Sequence, residues 1–201
     1  MRQRRILICG SCSGDYMKLI NDIENFIPFN EQEERDKAVI LQKLRTEPDI
    51  FSRDNLIMHM SASAWVVSPD RKQVLMAYHN IYDSWSWLGG HADGETDLLK
   101  TAMKEVREES GLQNITPVSE DIYSLEILTV DGHEKKGKYV NSHLHLNVTY
   151  LIEADPSEPV REKPDENSGV AWFEREEAVR MSSEPWFRER IYRKLNDKLD
   201  R

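Results

Sequence analysis

Apolar residues in this chain keep two rhythms. From Asp15 to about Glu47 they recur at steps of three and four: Met17, Ile20, Ile23, Phe26 and Ile27, then, past Pro28 and Asn30, Ala38, Ile40, Leu41 and Leu44. That spacing predicts two amphipathic helices, the second ended by Pro48. Near His59 the texture changes. The segments SASAWVVS and VLMAYHN, joined by the turn SPDRK, read as two strands. WSWLGGHADGE reads as a loop with paired glycines. A helix is expected from about Asp97 to Glu109, with Thr96 as its cap and Gly111 stopping it at the C′ position. IYSLEILTV is a further strand, and YVNSHLHLNVTYLIEA a single long one. DPSEPVREKPDEN is a charged, Pro-rich loop. GVAWF, REEAVRM and EPWFRERIYRKLNDKL follow as a short strand, a short helix and a C-terminal helix.

Strands mixed with segregated helices indicate an α+β fold, an α/β/α sandwich in which helices cover a sheet. Residues 1–55 form an N-terminal helical extension in this reading, and residues 56–201 the domain.

Composition narrows the function classes. The chain has 201 residues, 39% apolar and 31% charged, with a net charge of −9. A balance this acidic argues against a general nucleic-acid binder, which needs a basic stripe. It still admits a phosphate ligand if a cation bridges the two. No apolar run approaches the length of a membrane span, and the short apolar run after the basic start does not make a signal peptide. The expectation is a cytoplasmic protein, with a homodimer left open. Cys9 and Cys12 stand as C-x-x-C, but no second pair completes a zinc site; they read as free thiols.

The candidate chemistry lies in KEVREESGL, Lys104 to Leu112. At about 100° per residue, Leu99, Ala102, Met103 and Val106 form the apolar face. Glu105, Glu108 and Glu109 fill the sector on one side; Lys100, Lys104 and Arg107 fill the other flank. Charges sorted by sign repel at helical spacing. Either the glutamates form a solvated acidic face or they hold a hard divalent cation, which takes carboxylate oxygens plus waters and substrate phosphates.

From Gly90 to Leu112 the chain reads GHADGETDLLKTAMKEVREESGL, which resembles the Nudix box. Gly90, Glu105, Val106, Glu108, Glu109, Gly111 and Leu112 match at the correct spacing. Lys104 stands where the family has Arg, which keeps the charge and loses the planar fork. Thr96 stands where the family has its first Glu, with Glu95 one residue earlier. The resemblance implies a mixed Nudix-like sheet from about His59 onward. It also implies a metal-dependent hydrolase that cleaves a diphosphate bond in a nucleoside diphosphate linked to another moiety. Mg²⁺ or Mn²⁺ would be held by Glu105, Glu108, Glu109 and the Gly89 carbonyl. Glu109 or Glu105 would assist the attacking water. Glu166 is the candidate for an added carboxylate from a later loop, and Glu134 the alternative. The partner is then a small-molecule diphosphate, with neither nucleic acid nor membrane. A nucleotide-sensing module of the same fold without turnover is the competing reading.

Further substrate contacts are sought in Gly90, His91, Lys104, His143 and His145. The two last alternate with Leu144 and Leu146 and share one sheet face with Asn147 and Thr149; that stripe could line a cleft or face solvent. Tyr78, Trp85 and Trp87 could stack on a base, although aromatics in strands are more often core. Trp65 and Trp172 are assigned to the core.

Overall fold

Strand β1 (Met58–Val67) is buried on both faces along almost its whole length, and the different side chains on those two faces organise the molecule. A computed structural model describes residues 14–135 and 137–201; Cys9 and Cys12 lie outside them. Met60, Ala62, Ala64 and Val66 face one apolar core. Trp65 and Val67 face a second. Between His59 and Trp65 the second face is polar, with Ser61 and Ser63 both buried. Successive side chains of a strand point to opposite faces, so one strand supplies two cores and the floor of a cleft.

Around β1 runs a mixed eight-stranded sheet. It pairs in parallel with β9 (His143–Ala154), and His59 stands opposite His145. On its other edge it meets β2 (Gln73–His79) at Val66 and Val67, and β4 (Leu88–His91) at Ser61 to Ala64. Strand β3 (Ser84–Ser86) and β10 (Asn167–Glu174) extend the β2 side. Strands β5 (Ile115–Pro117) and β6 (Ser124–Val130) extend the β9 side. A separate hairpin joins β7 (His133–Lys135) to β8 (Lys138–Val140).

Helices α1 (Gly14–Asn25) and α2 (Glu31–Thr46) put Leu19, Ile20, Ile23, Ile40 and Leu44 into the first core, together with α3 (Leu98–Ser110). Met17 and Ile27, expected on that apolar face, are exposed. Helix α2 also closes the open edge of β6. Asp36 accepts from the Ile127 amide at 3.0 Å, and Gln32 donates to the Leu125 carbonyl at 3.0 Å. An uncovered strand edge invites pairing with other chains; here side chains of the extension occupy it. Helix α4 (Arg175–Met181) and the C-terminal segment pack on the second core.

Four local expectations are corrected. Gly89 and Gly90 lie in strand β4, because their backbone pairs with Ser63 and Ala62. The long strand from Tyr139 breaks after β8, where the Asn141 side chain donates to the Leu56 and Ser142 carbonyls. The C-terminal helix opens with a π-helical turn, Phe187–Tyr192, before α5 (Arg193–Leu199). Asp97 rather than Thr96 caps α3, its carboxylate accepting from the Lys100 amide at 3.1 Å. Glu95 is the reason: its Oε1 already takes the Thr96 and Asp97 amides, so the helix starts one residue later.

Candidate active site

Helix α3 carries its glutamates at the border of its buried stripe. Leu98, Ala102 and Val106 are fully covered, and Glu105 and Glu109, one turn apart, are covered with them. Gly111 ends the helix at φ 78°, a left-handed conformation that favours glycine. The buried glutamates reach strand β4. Glu109 Oε2 accepts a hydrogen bond from the Gly89 amide at 3.0 Å. The N–H and C=O of one strand residue point to the same edge, so the Gly89 carbonyl shares the side that faces α3. A Cβ on Gly90 would lie 2.6 Å from Glu105 Cδ, and one on Gly89 2.5 Å from the Ala62 carbonyl. Both positions need glycine because the helix and β1 approach so closely.

A third carboxylate comes from the loop before β10. Glu105, Glu109 and Glu166 each offer an oxygen, all within 4.8 Å of one another. The loop is tied down on both sides of the Glu166–Asn167 peptide, where it enters β10. The Asn80 amide donates to the Glu166 carbonyl at 3.0 Å, and the Asn167 side chain donates to the Glu109 carbonyl at 3.0 Å. Glu134, the alternative to Glu166, lies on the β7–β8 hairpin and is not in this group.

Glu108 stays outside the triad, between two lysines. Lys104 Nζ is 3.4 Å from it and 3.0 Å from Glu105; Lys163 Nζ is 3.3 Å from it and 2.8 Å from Glu166. Partial burial works against ionising Glu108, but Lys163 and Lys104 outweigh it and hold the carboxyl below its ordinary value. Glu109 is the opposite case. Burial above all, with Glu105 and Glu166 adding to it, pushes its carboxyl up to about 8, against the Gly89 amide and Lys163. The triad is therefore short of positive charge at its centre while its rim is neutralised.

The glutamates open into a cleft whose floor is the polar face of β1. Asn147 orders that floor: its Oδ1 accepts from Ser61 and Ser63, each at 3.0 Å, and its Nδ2 donates to Glu126 at 3.1 Å. Gly90, His91, Lys104 and His145 line the cleft as expected. His143 is not part of the lining, but its Nε2 is 3.1 Å from that of His145. Burial, together with His91, His59 and His143, pushes the His145 pKa far down, so the ring is neutral. On the far wall stand Ile81, Tyr82, Trp87 and Phe187. Tyr78 and Trp85 instead meet each other edge-on, and Trp85 packs on Phe173. Sequence reasoning missed Lys163, His59 and Tyr82. Lys163 could have been found, since it stands three residues before Glu166.

Hard oxygen donors around an electron-rich centre suit Mg²⁺ or Mn²⁺. Residues 58–195 match the family model described as NUDIX domain. The chain belongs to the Nudix family. The reaction class of this Nudix-type hydrolase is cleavage of phosphoric anhydride bonds. Among solved Nudix structures, an Ap4A hydrolase of C. elegans in a binary complex is 21% identical, over 70% of this chain and 97% of that one, at a TM-score of 0.52. The MutT protein of Methanosarcina mazei Go1 is 18% identical, over 72% and 97%, at 0.48. The first is a likeness of fold alone. No curated protein matches the chain. Among the described residues no helix is long and apolar enough to cross a membrane.

Proposed function

We propose that this Nudix hydrolase is metal-dependent and cleaves the diphosphate bond of a nucleoside diphosphate linked to another moiety. The observation that carries the reading is the convergence of Glu105, Glu109 and Glu166 within 4.8 Å at the mouth of a cleft. With Glu108 and the Gly89 carbonyl beside them, these residues would hold Mg²⁺ or Mn²⁺. Such an ion supplies Lewis-acid polarisation of phosphorus and a water of lowered pKa.

The chain's own groups do the rest. Glu109 carries its proton at neutral pH while the site lacks a cation, and gives it up when positive charge arrives. It can then accept a proton from the attacking water, held in place by the Gly89 amide. Lys104 and Lys163 pair with Glu105, Glu108 and Glu166 and give the anionic substrate a cationic rim. Gly90 leaves room for Glu105. His91 and His145 face the phosphate side. Tyr82, Trp87 and Phe187 offer apolar surface for the base or the second moiety.

A panel of nucleoside-diphosphate-linked compounds with Mg²⁺ tests the proposal, run on wild type and Glu109→Gln. Hydrolysis at the diphosphate by wild type, lost in the variant and without added cation, is expected. Tight binding of a nucleotide with no turnover on any compound would replace the reading by a sensor.

A further inference from the structure

Strand register brings four histidines to one place. His59 of β1 is opposite His145 of β9, and His91 of β4 is opposite Ser61, one step along the same face. His143 precedes His145 on that face by two residues. The rings touch: centroids are 4.8 Å apart for His59–His143, 5.0 Å for His59–His145 and 4.8 Å for His91–His145. One ring nitrogen from each of the four lies within 4.8 Å of the others.

Tautomers are set from outside. His59 Nδ1 is 3.2 Å from the Asn55 carbonyl, and His143 Nδ1 is 2.8 Å from the Asn141 carbonyl. A carbonyl accepts only, so each Nδ1 carries the hydrogen and each Nε2 presents a lone pair. Backbone carbonyls fix metal-ligating histidines in this way. His59 is only 4% exposed, and its Nε2 has no hydrogen-bond partner. Leaving a buried acceptor unmade is costly, and ordinary core packing would avoid it.

We propose that His59, His91, His143 and His145 form a second cation site, for a borderline transition ion of the zinc class. Neutral imidazoles select such ions, whereas magnesium selects oxygen. Two nitrogens on a tetrahedral zinc at about 2.0–2.1 Å stand about 3.3 Å apart. His143 Nε2 and His145 Nε2 are already 3.1 Å apart, and the ligand nitrogens of all four lie within 4.8 Å of one another. The ion would cross-link β1, β4 and β9. Through His91 and His145 it would set its charge in the wall of the same cleft as the glutamates. This site does not depend on the diphosphate reading.

The test uses full-length, tag-free protein stripped with a chelator. It is titrated with Zn²⁺ under millimolar Mg²⁺, and bound metal is counted after gel filtration. One Zn²⁺ per chain is expected in wild type and in Glu105→Gln with Glu109→Gln. His91→Asn and His143→Asn should each weaken it by at least about 10–100-fold, the range that losing even an outer-shell partner costs. Cobalt in place of zinc should give the visible absorption of tetrahedral nitrogen coordination in wild type and lose it in the variants. Circular dichroism checks their folds; if one histidine variant unfolds, the other and the cobalt spectrum decide. Zinc that binds no better to wild type than to the folded histidine variants, or that is lost with the glutamates, overturns the proposal.

Discussion

Glu109 Oε2 accepts from the Gly89 amide at 3.0 Å, and this bond joins the buried end of α3 to strand β4. It satisfies the carboxyl in one direction only. In the others Glu109 meets apolar cover and two more carboxylates, which is why its pKa rises to about 8. Helix α3 is thus held in a position that is electrostatically unfavourable in the absence of added positive charge.

The stability of the cation-free protein should record that position. The folded pKa of Glu109 lies above its ordinary 4.5, so its contribution is complete below about 4.5 and is lost as pH rises through about 8. Between pH 6 and 9, in chelator, wild type should lose stability on the order of a few kcal/mol from this group. Glu109→Gln should lose much less over the same window, because an amide does not ionise. Mg²⁺ should raise the melting temperature of wild type at pH 9 and leave the variant nearly unchanged. Parallel melting curves for the two proteins with pH would refute the assignment.

Gly90→Ala tests how closely α3 approaches the sheet. Its Cβ would sit 2.6 Å from Glu105 Cδ, so the carboxylate must move. A misplacement of about 1 Å at a catalytic group costs about 100-fold in rate, and overpacking costs about 1–3 kcal/mol. A drop of that order in kcat, with a native circular dichroism spectrum, is expected. Near-wild-type turnover would mean that Glu105 is not needed where it stands.

What the sequence revealed and what it withheld divide along one line. The helix, its Gly111 stop and the set Glu105, Glu108 and Glu109 were legible because helical contacts are local. Glu166 was found as a loop acid, and the structure puts it beside Glu105 and Glu109. Which glutamate pairs with which lysine was hidden, because Lys163 reaches Glu108 only through a loop from the other end of the sheet. The histidine cluster was half visible. Alternation placed His143 and His145 on one face, but His59 and His91 join them through parallel and antiparallel register that no local pattern encodes. The break at Asn141 and the π-helical turn depend on single side-chain or backbone bonds, which periodicity averages away.

The helical extension, which we read as residues 1–55, should be indispensable to the domain at 56–201. Its removal would uncover the core partners of Ile23, Ile40 and Leu44 and open the β6 edge that Gln32 and Asp36 cover. Each large side chain lost from a core costs about 2–5 kcal/mol. The truncated chain should aggregate, or melt at least ten degrees lower at roughly 2–4 °C per kcal/mol. A soluble 56–201 fragment with an unchanged melting temperature would show that the extension is dispensable.

The extension also reaches the cleft floor through buried charge. Lys194 Nζ lies 2.9 Å from Glu126 and 3.4 Å from Glu33 of α2, and Lys198 is 2.8 Å from Glu33. Burial opposes ionisation of Glu33, yet the two lysines hold its carboxyl below the ordinary value. Glu126 in turn accepts from Asn147, which orients Ser61 and Ser63. Lys194→Met leaves Glu126 buried without its cation. Removing one member of a buried ion pair costs about 3–5 kcal/mol, whereas replacing both by apolar or neutral groups is often close to neutral. Urea unfolding should therefore show a large loss for Lys194→Met and a partial recovery when Glu126→Gln is added. The Gln restores stability, but its amide keeps one acceptor oxygen where the carboxylate had two, so either Ser124 or the Asn147–Thr149 pair loses its acceptor at Glu126. The double variant should regain stability without regaining full activity. Recovery of both together would separate the network from the cleft.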